Sequence, residues 1–172
     1  MISTFDTSDT SDFHISKIIT DPSILFCDEP TSGLDSFMAV AITELMQDLA
    51  KKGKTIICTI HQPSSEIFNM FDKLCLMVEG KVAYFGEVTG ATTFFKELNL
   101  KVPMNYNPAD FFIKNLAVAP NKRKECLDTI SRVCVGYERS EARRKKLEII
   151  ESLNEIGLES PALSVKIIKE PL

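Results

Sequence analysis

Two adjacent acidic residues, Asp28 and Glu29, directly follow the apolar run at residues 23–27. Such a run is typical of a strand that is covered on both faces, as in a parallel sheet. Ligands of parallel sheets bind beyond the carboxyl ends of the strands. One carboxylate there could support Mg²⁺, usually through water, while the other could orient and deprotonate an attacking water. Taken alone, the pair is more often just the beginning of a loop.

A histidine occupies the corresponding position one strand later. Residues 55–60 predict a second buried strand, and His61 follows it directly. Because the carboxyl ends of parallel strands share one edge, we expect His61 on the same rim as Glu29. That placement suits contact with the γ-phosphate of a nucleotide. A lone histidine is more often structural, so the neighbouring carboxylates carry this interpretation.

The elements that would position these side chains form a βαβ unit. Apolar residues at helical spacing predict a helix over residues 36–51, and Gly53 supplies its end. Downstream, Asn107 and Pro108 are typical of a helix start. We also predict helices at residues 65–71, 92–98, 123–134 and 138–153, and a hairpin from residues 74–78 and 82–85.

Several motifs, in order along the chain, resemble one protein family. The run ILFCDEPTSGLDS resembles the Walker B motif and D-loop of ATP-binding cassette proteins, and TIHQPSS resembles their switch-histidine segment. HQPSS, FDKLCLMVEGKVAYFG and NYNPADFFIKNLAV together resemble the G subfamily, in particular its insect eye-pigment half-transporters. The resemblance covers about residues 18–150.

This resemblance implies an α/β fold, namely part of a P-loop NTPase domain of the ATP-binding cassette type, with parallel strands, helices and a C-terminal helical tail. Residues 1–17 would be a divergent, disordered leader. Residues 18–118 would form the C-terminal part of the nucleotide-binding domain. Residues 119–172 would be a helical linker toward a transmembrane domain outside the chain.

The family also implies roles for individual residues. Asp28 would support Mg²⁺ through water, Glu29 would be the general base, and His61 would contact the γ-phosphate. The residues expected to face a partner cassette are Ser32, Gly33, Leu34 and Asp35. ATP and Mg²⁺ would be bound by the complete transporter, whose partners would be a second half-transporter and the membrane, with the cassette on the cytosolic face. The transported molecule would be a small substrate, and the resemblance to the eye-pigment group implies pigment precursors.

The 172 residues contain no G-x-x-x-x-G-K-[ST] phosphate-binding loop. Gly53-Lys54-Thr55 precedes a predicted strand instead of following one, so we interpret it as a helix end. No Ser-Gly-Gly signature precedes the acidic pair either. We therefore expect an ATPase by family whose 172 residues bind ATP weakly or not at all by themselves. The alternative is a catalytically inactive module that interacts with a complete cassette.

Composition excludes some other classes of protein. The net charge of −4 gives no reason to expect a nucleic-acid partner. The apolar runs are far shorter than the ~20 residues of a transmembrane helix. Five cysteines without a CxxC pair argue against a disulfide framework or a structural zinc site. The basic runs at residues 122–124 and 143–146 could contact anionic lipid headgroups, although a solvated helix face explains them equally well.

Overall fold

The computed structural model of the chain describes residues 2–5 and 22–155. Within them lie a three-stranded parallel sheet, an antiparallel hairpin and six α-helices. The sheet has the order β1-β2-β3, with β1 at Ile2–Phe5, β2 at Ile24–Cys27 and β3 at Thr55–Cys58. The chain is therefore a mixed α/β protein, as the sequence predicts.

Helix α1, at Ser36–Lys51, connects β2 to β3 and has the predicted bounds. Its Met46 is buried against Leu25 and Cys27 of β2, which forms a small apolar cluster. Gly53 follows the helix with a φ of +88°, a conformation that favours glycine. Gly53-Lys54-Thr55 thus joins a helix to a strand, which is the reverse of the order in a phosphate-binding loop.

Strand β1 differs from the sequence prediction, which includes Ile2–Phe5 in a disordered leader. These residues pair in parallel with β2, in the register Ile2↔Ile24 to Phe5↔Cys27. The physical reason is that the edge of β2 offers backbone N–H and C=O groups, and isoleucine, threonine and phenylalanine favour strands. The predicted end of the leader at residue 17 lies outside the described residues.

The larger apolar core lies in the second half of the chain. Most of it is formed by the hairpin strands β4 (Lys73–Val78) and β5 (Lys81–Glu87) and by three helices. These helices are α3 (Val88–Glu97), α4 (Pro108–Leu116) and α5 (Arg123–Glu138). Phe95 and Phe112 are fully buried at its centre, with ring centroids 4.5 Å apart.

The remaining helices flank this core. The short helix α2, at Ser65–Asn69, contributes Phe68 to it. Val133 and Tyr137 of α5 are also buried in it, so packing continues across the predicted boundary at residue 118. A 3₁₀ turn at Pro120–Lys122 precedes α5, and α6 occupies Glu141–Glu155. Among the described residues, no helix combines the length and apolar character that crossing a bilayer requires.

Candidate functional site

Glu29 and His61 line the same pocket, beyond the carboxyl ends of β2 and β3. The register pairs Cys27 with Cys58, so the two following segments emerge side by side from the sheet. The cavity has a volume of about 370 Å³. Its full lining consists of Glu29, Thr31, Ser32, Gly33, Leu34, Ser36, Ala39, His61, Gln62, Pro63, Ser64 and Ile67. Four of these residues carry a hydroxyl and Gln62 carries an amide, so the lining offers hydrogen bonds to a polar ligand.

Thr59, at the end of β3, connects the two acidic residues. Its Oγ1 accepts a hydrogen bond from the Glu29 backbone N–H at 2.9 Å and donates one to Asp28 Oδ1. Glu29 itself has a φ of +43°, in the left-handed region that side chains rarely adopt. Because the Thr59 bond fixes its amide, this hydroxyl helps to hold that conformation. The carboxylate of Asp28 contacts Thr59, and Asp28 is outside the pocket lining.

The segment at residues 32–35 follows the acidic pair in a tight turn. The Ser32 N–H donates to the Glu29 carbonyl at 2.9 Å, and Gly33 has a φ of +72°. Ser32, Gly33 and Leu34 all line the pocket. Asp35 instead caps helix α1, because its Oδ1 accepts from the Met38 N–H at 2.9 Å. Three of the four predicted partner-facing residues therefore lie on the rim of the pocket, and the fourth anchors the helix behind it.

The opposite wall is the segment between β3 and α2. His61 and Gln62 are exposed, Pro63 is buried, and Gln62 has a φ of +48°. Ser64 caps α2 by accepting a hydrogen bond from the Ile67 N–H at 3.2 Å. Both walls thus continue into helices that begin with a side-chain cap. Residues in the left-handed region occur in both, with Glu29 and Gly33 in the first wall and Gln62 in the second.

Two cysteines lie in the strands that lead to the pocket. Burial raises the pKa of Cys27 to about 11, with a further contribution from neighbouring Cys58. Burial also raises the pKa of Cys58. Both thiols remain protonated at neutral pH and are poor nucleophiles. Cys75, in contrast, is exposed on the hairpin.

Thr59 and Asn107 hydrogen-bond to the segments around the pocket, and the sequence patterns do not predict these contacts. Thr59 is the register neighbour of Asp28, one residue beyond the pair Cys27↔Cys58. A hydroxyl at that position was the available signal. Asn107 was predicted only as a helix cap, yet its Nδ2 also donates to the Pro63 carbonyl at 2.9 Å. No local pattern in the sequence indicates that second bond.

Comparison with known proteins identifies the family. The chain is 46% identical over 147 residues to "Protein white" of Drosophila melanogaster, covering 85% of this chain and 21% of that protein. It is 40% identical over 130 residues to "Protein scarlet" of the same fly, covering 76% and 20% of the two chains. "ABC transporter G family member 13" of Arabidopsis thaliana is 46% identical over 98 residues, 57% of this chain and 14% of that one. The chain belongs to the G subfamily of ATP-binding cassette transporters. It spans about a fifth of the length of the two fly proteins and about a seventh of the Arabidopsis protein.

A family model described as "ABC-2 type transporter" matches residues 61–141 of this G-subfamily chain. The match runs across the predicted boundary at residue 118. The division of the chain into a nucleotide-binding part at residues 18–118 and a linker at residues 119–172 therefore stays a prediction.

Solved structures of ATP-binding cassettes resemble the chain more distantly. An ATP-binding subunit of an ABC transporter aligns with 56% of this chain and 38% of its own, at 20% identity and a TM-score of 0.44. An ATP-binding cassette named MJ1267 aligns with 48% and 34%, at 24% identity and a TM-score of 0.40. The family assignment rests on the sequence relatives.

Proposed function

We propose that this chain is part of an ATP-driven half-transporter in which Glu29 and His61 act together on the terminal phosphate of ATP. The observation that supports the proposal is their shared pocket beyond two adjacent parallel strands. Hydrolysis in the complete transporter would drive movement of a small substrate across the membrane. The resemblance to the eye-pigment group extends the proposal to pigment precursors as substrates.

In the proposed mechanism, each side chain has a task that its chemistry permits. The Glu29 carboxylate accepts a proton from the attacking water and orients that water toward phosphorus. The His61 imidazole donates a hydrogen bond to a γ-phosphate oxygen. Positioning and electrostatic stabilisation supply most of the catalysis in phosphoryl transfer. The hydrogen bonds that fix Glu29 and the His61 segment are therefore part of the proposed machinery.

Asp28 is the residue proposed to support Mg²⁺. No group of three or more metal-binding side chains occurs within residues 22–155. Mg²⁺ is usually held by one or two carboxylates together with water and substrate phosphates, and Asp28 beside a polar pocket fits that arrangement. When bound, the ion would neutralise phosphate charge. Thr59 holds the Asp28 carboxylate through a hydrogen bond to Oδ1.

The turn at residues 32–35 is proposed to face the cassette of a second half-transporter, in a homodimer or heterodimer. Ser32, Gly33 and Asp35 are exposed, which leaves their surface accessible to a partner. The membrane-spanning part would belong to polypeptide outside these 172 residues, and the cassette would lie on the cytosolic face.

The direct test uses a complete G-subfamily transporter in which residues 22–155 replace the matching segment. We expect Glu29→Gln to reduce ATP turnover by a factor of about 10²–10⁴, since it removes the general base and keeps the shape of the side chain. Glu97→Gln is the matched control, because Glu97 is exposed at the end of α3. Equal turnover in the Glu29→Gln variant and the unsubstituted protein would refute the proposal.

A second candidate function concerns the 172-residue chain by itself. Because these residues contain no phosphate-binding loop, the chain could interact with a complete cassette without turning over ATP. Backbone amides and a lysine of such a loop normally hold the nucleotide, so we expect weak ATP binding. Calorimetric titration with ATP and Mg²⁺ measures this. Tight, Mg²⁺-dependent binding by the isolated chain would contradict the inactive-module alternative.

A further inference from the structure

We infer that Asn107, at the start of α4, is a positioning residue that holds the His61 side of the pocket through the Pro63 carbonyl. The inference rests on the proposed function of the pocket and adds a residue to it. Asn107 is 46 positions from His61 in the sequence and is outside the pocket lining. Its effect on the pocket is therefore exerted through the backbone.

Both ends of the Asn107 amide are engaged. Oδ1 accepts a hydrogen bond from the Ala109 N–H at 3.0 Å, which caps helix α4. Nδ2 donates to the Pro63 carbonyl at 2.9 Å. The two partners determine the orientation of the amide, since a backbone N–H requires an acceptor and a carbonyl requires a donor. One side chain thus fastens the first turn of α4 to the segment that follows β3.

That segment needs external support. Gln62 has a φ of +48°, and such conformations persist where the surrounding structure holds them. Pro63 is buried, so its carbonyl requires a hydrogen-bond partner, which Asn107 provides. Ser64 is engaged on the other side as the cap of α2. The bond from Asn107 therefore holds the wall between His61, which lines the pocket, and the start of α2.

Helix α4 is a rigid base for this contact. Phe112, in the second turn of α4, is fully buried and lies 6.0 Å from the ring of Phe68 in α2. The Phe112 ring also lies 4.5 Å from the ring of Phe95 in α3. Since α2 and α4 share the main core, the distance between Asn107 and Pro63 is fixed by packing. Errors of about 1 Å in such supports can cost on the order of 10²-fold in rate.

The two bonds of Asn107 can be separated by substitution. Asn107→Asp keeps an oxygen for the cap, which aspartate supplies as well as asparagine does, and it removes the Nδ2 donor. Asn107→Ala removes both bonds. Asn115→Asp is the matched control, because Asn115 lies in the same helix and its Nδ2 donates to the Phe111 carbonyl within that helix.

Hydrogen exchange of the full 172-residue chain, read by mass spectrometry on peptides covering residues 59–71 and 105–118, tests the structural half. For Asn107→Asp we expect exchange at 59–71 to be about two- to tenfold faster, the range for one net hydrogen bond, with 105–118 unchanged. Asn107→Ala should accelerate both peptides, and Asn115→Asp should leave 59–71 unchanged. Unchanged exchange at 59–71 in Asn107→Asp would overturn the inference.

ATP turnover of the complete transporter carrying residues 22–155 tests the functional half. We expect Asn107→Asp to lower kcat by roughly tenfold with KM for ATP within about twofold, the pattern of a contact that matters in the transition state. Asn115→Asp should preserve both values. An unchanged kcat in Asn107→Asp would overturn the role in catalysis. If the unsubstituted transporter shows no turnover, the proposed function fails, and the exchange experiment still decides whether Asn107 holds the segment.

Discussion

The Thr59 hydroxyl, at the end of β3, hydrogen-bonds to both acidic residues of the pocket region. In the proposed mechanism, Asp28 supports Mg²⁺ and Glu29 accepts a proton. Thr59 accepts from the Glu29 N–H and donates to Asp28, so its loss would affect the backbone of one and the carboxylate of the other. The left-handed φ of Glu29 makes this support important, because the backbone has a lower-energy conformation available elsewhere. A substitution at Thr59 therefore tests how strictly the acidic pair must be oriented.

We predict that Thr59→Val reduces kcat for ATP about tenfold in the complete transporter, while Thr59→Ser changes it by less than about twofold. Valine keeps the branched shape that suits a strand end and removes both hydrogen bonds. Serine retains the hydroxyl. The expected size follows from a net hydrogen-bond contribution of about 0.5–1.5 kcal/mol, where 1.4 kcal/mol corresponds to tenfold in rate. Equal turnover of the valine and serine variants would show that the hydroxyl has no positioning role.

At this scale, the sequence predicts residues that follow directly on strands and misses those that act across long separations. Glu29 and His61 can be found because each comes just after an apolar run. Thr59 acts on Asp28, 31 positions away, and Asn107 acts on Pro63, 44 positions away. Such contacts depend on strand register and helix packing, which local patterns do not specify.

Among the elements, the helix bounds predicted from the sequence agree best with the structure where a capping side chain or a glycine marks the helix end. Helix α1 has its predicted bounds because Asp35 caps its start and Gly53 follows its end. Helix α3 begins at Val88 instead of the predicted residue 92, since it lacks a side-chain cap and has Gly90 in its first turn. That glycine leaves room for the Tyr84 hydroxyl, which lies 2.7 Å from where a Cβ would be.

The sequence predicts helix α6 but does not predict which residues the helix contacts. The basic run at residues 143–146 was open to two interpretations, lipid contact or a solvated face. Lys145 is indeed exposed and pairs with Glu141 at 2.9 Å. Lys146, however, lies 4.1 Å from the centroid of the Phe85 ring and donates to the Phe85 carbonyl. Burial lowers the pKa of Lys146, and nearby Lys73 lowers it further.

We predict that Lys146→Met loosens α6 from the hairpin by about 0.5–1 kcal/mol, the usual size of a cation–π contact that is open to solvent. Methionine retains the length and apolar stem of the side chain and removes the charge and the donor. Hydrogen exchange of a peptide covering residues 141–155 measures the change. Lys145→Met is the control on the solvent side of the helix. Equal acceleration by both substitutions would show that the contact with Phe85 does not hold α6.

At the scale of the whole molecule, apolar burial is divided unequally. The main core joins the hairpin to α3, α4 and α5, while the cluster under the parallel sheet has, within residues 22–154, Leu25, Cys27 and Met46 as its buried members. On the sheet side, Phe37 is 80% exposed and Ile57 is 50% exposed. Sequence patterns predict the α/β class but not this imbalance, which depends on how distant segments pack.

We therefore predict that the isolated chain unfolds in two steps, with the β2-α1-β3 unit opening first. Regions with few buried apolar contacts open at lower free energy than the main core. Hydrogen exchange across a urea series measures the urea midpoint of unfolding for each segment. We expect a lower midpoint for residues 22–58 than for residues 73–138. Phe112→Ala is expected to destabilise the main core by about 3–5 kcal/mol. A single sharp transition shared by both regions would contradict this description.

The central claim is that Glu29 and His61 act on one phosphate from two adjacent strands. A double-mutant cycle of Glu29→Gln and His61→Ala, with ATP turnover measured in the complete transporter, tests it most directly. Residues that act as a unit are strongly non-additive, so each single change should cost about 10²–10⁴-fold and the pair should cost little more than the worse of the two. Independent losses that multiply, or wild-type turnover in either single variant, would contradict the claim.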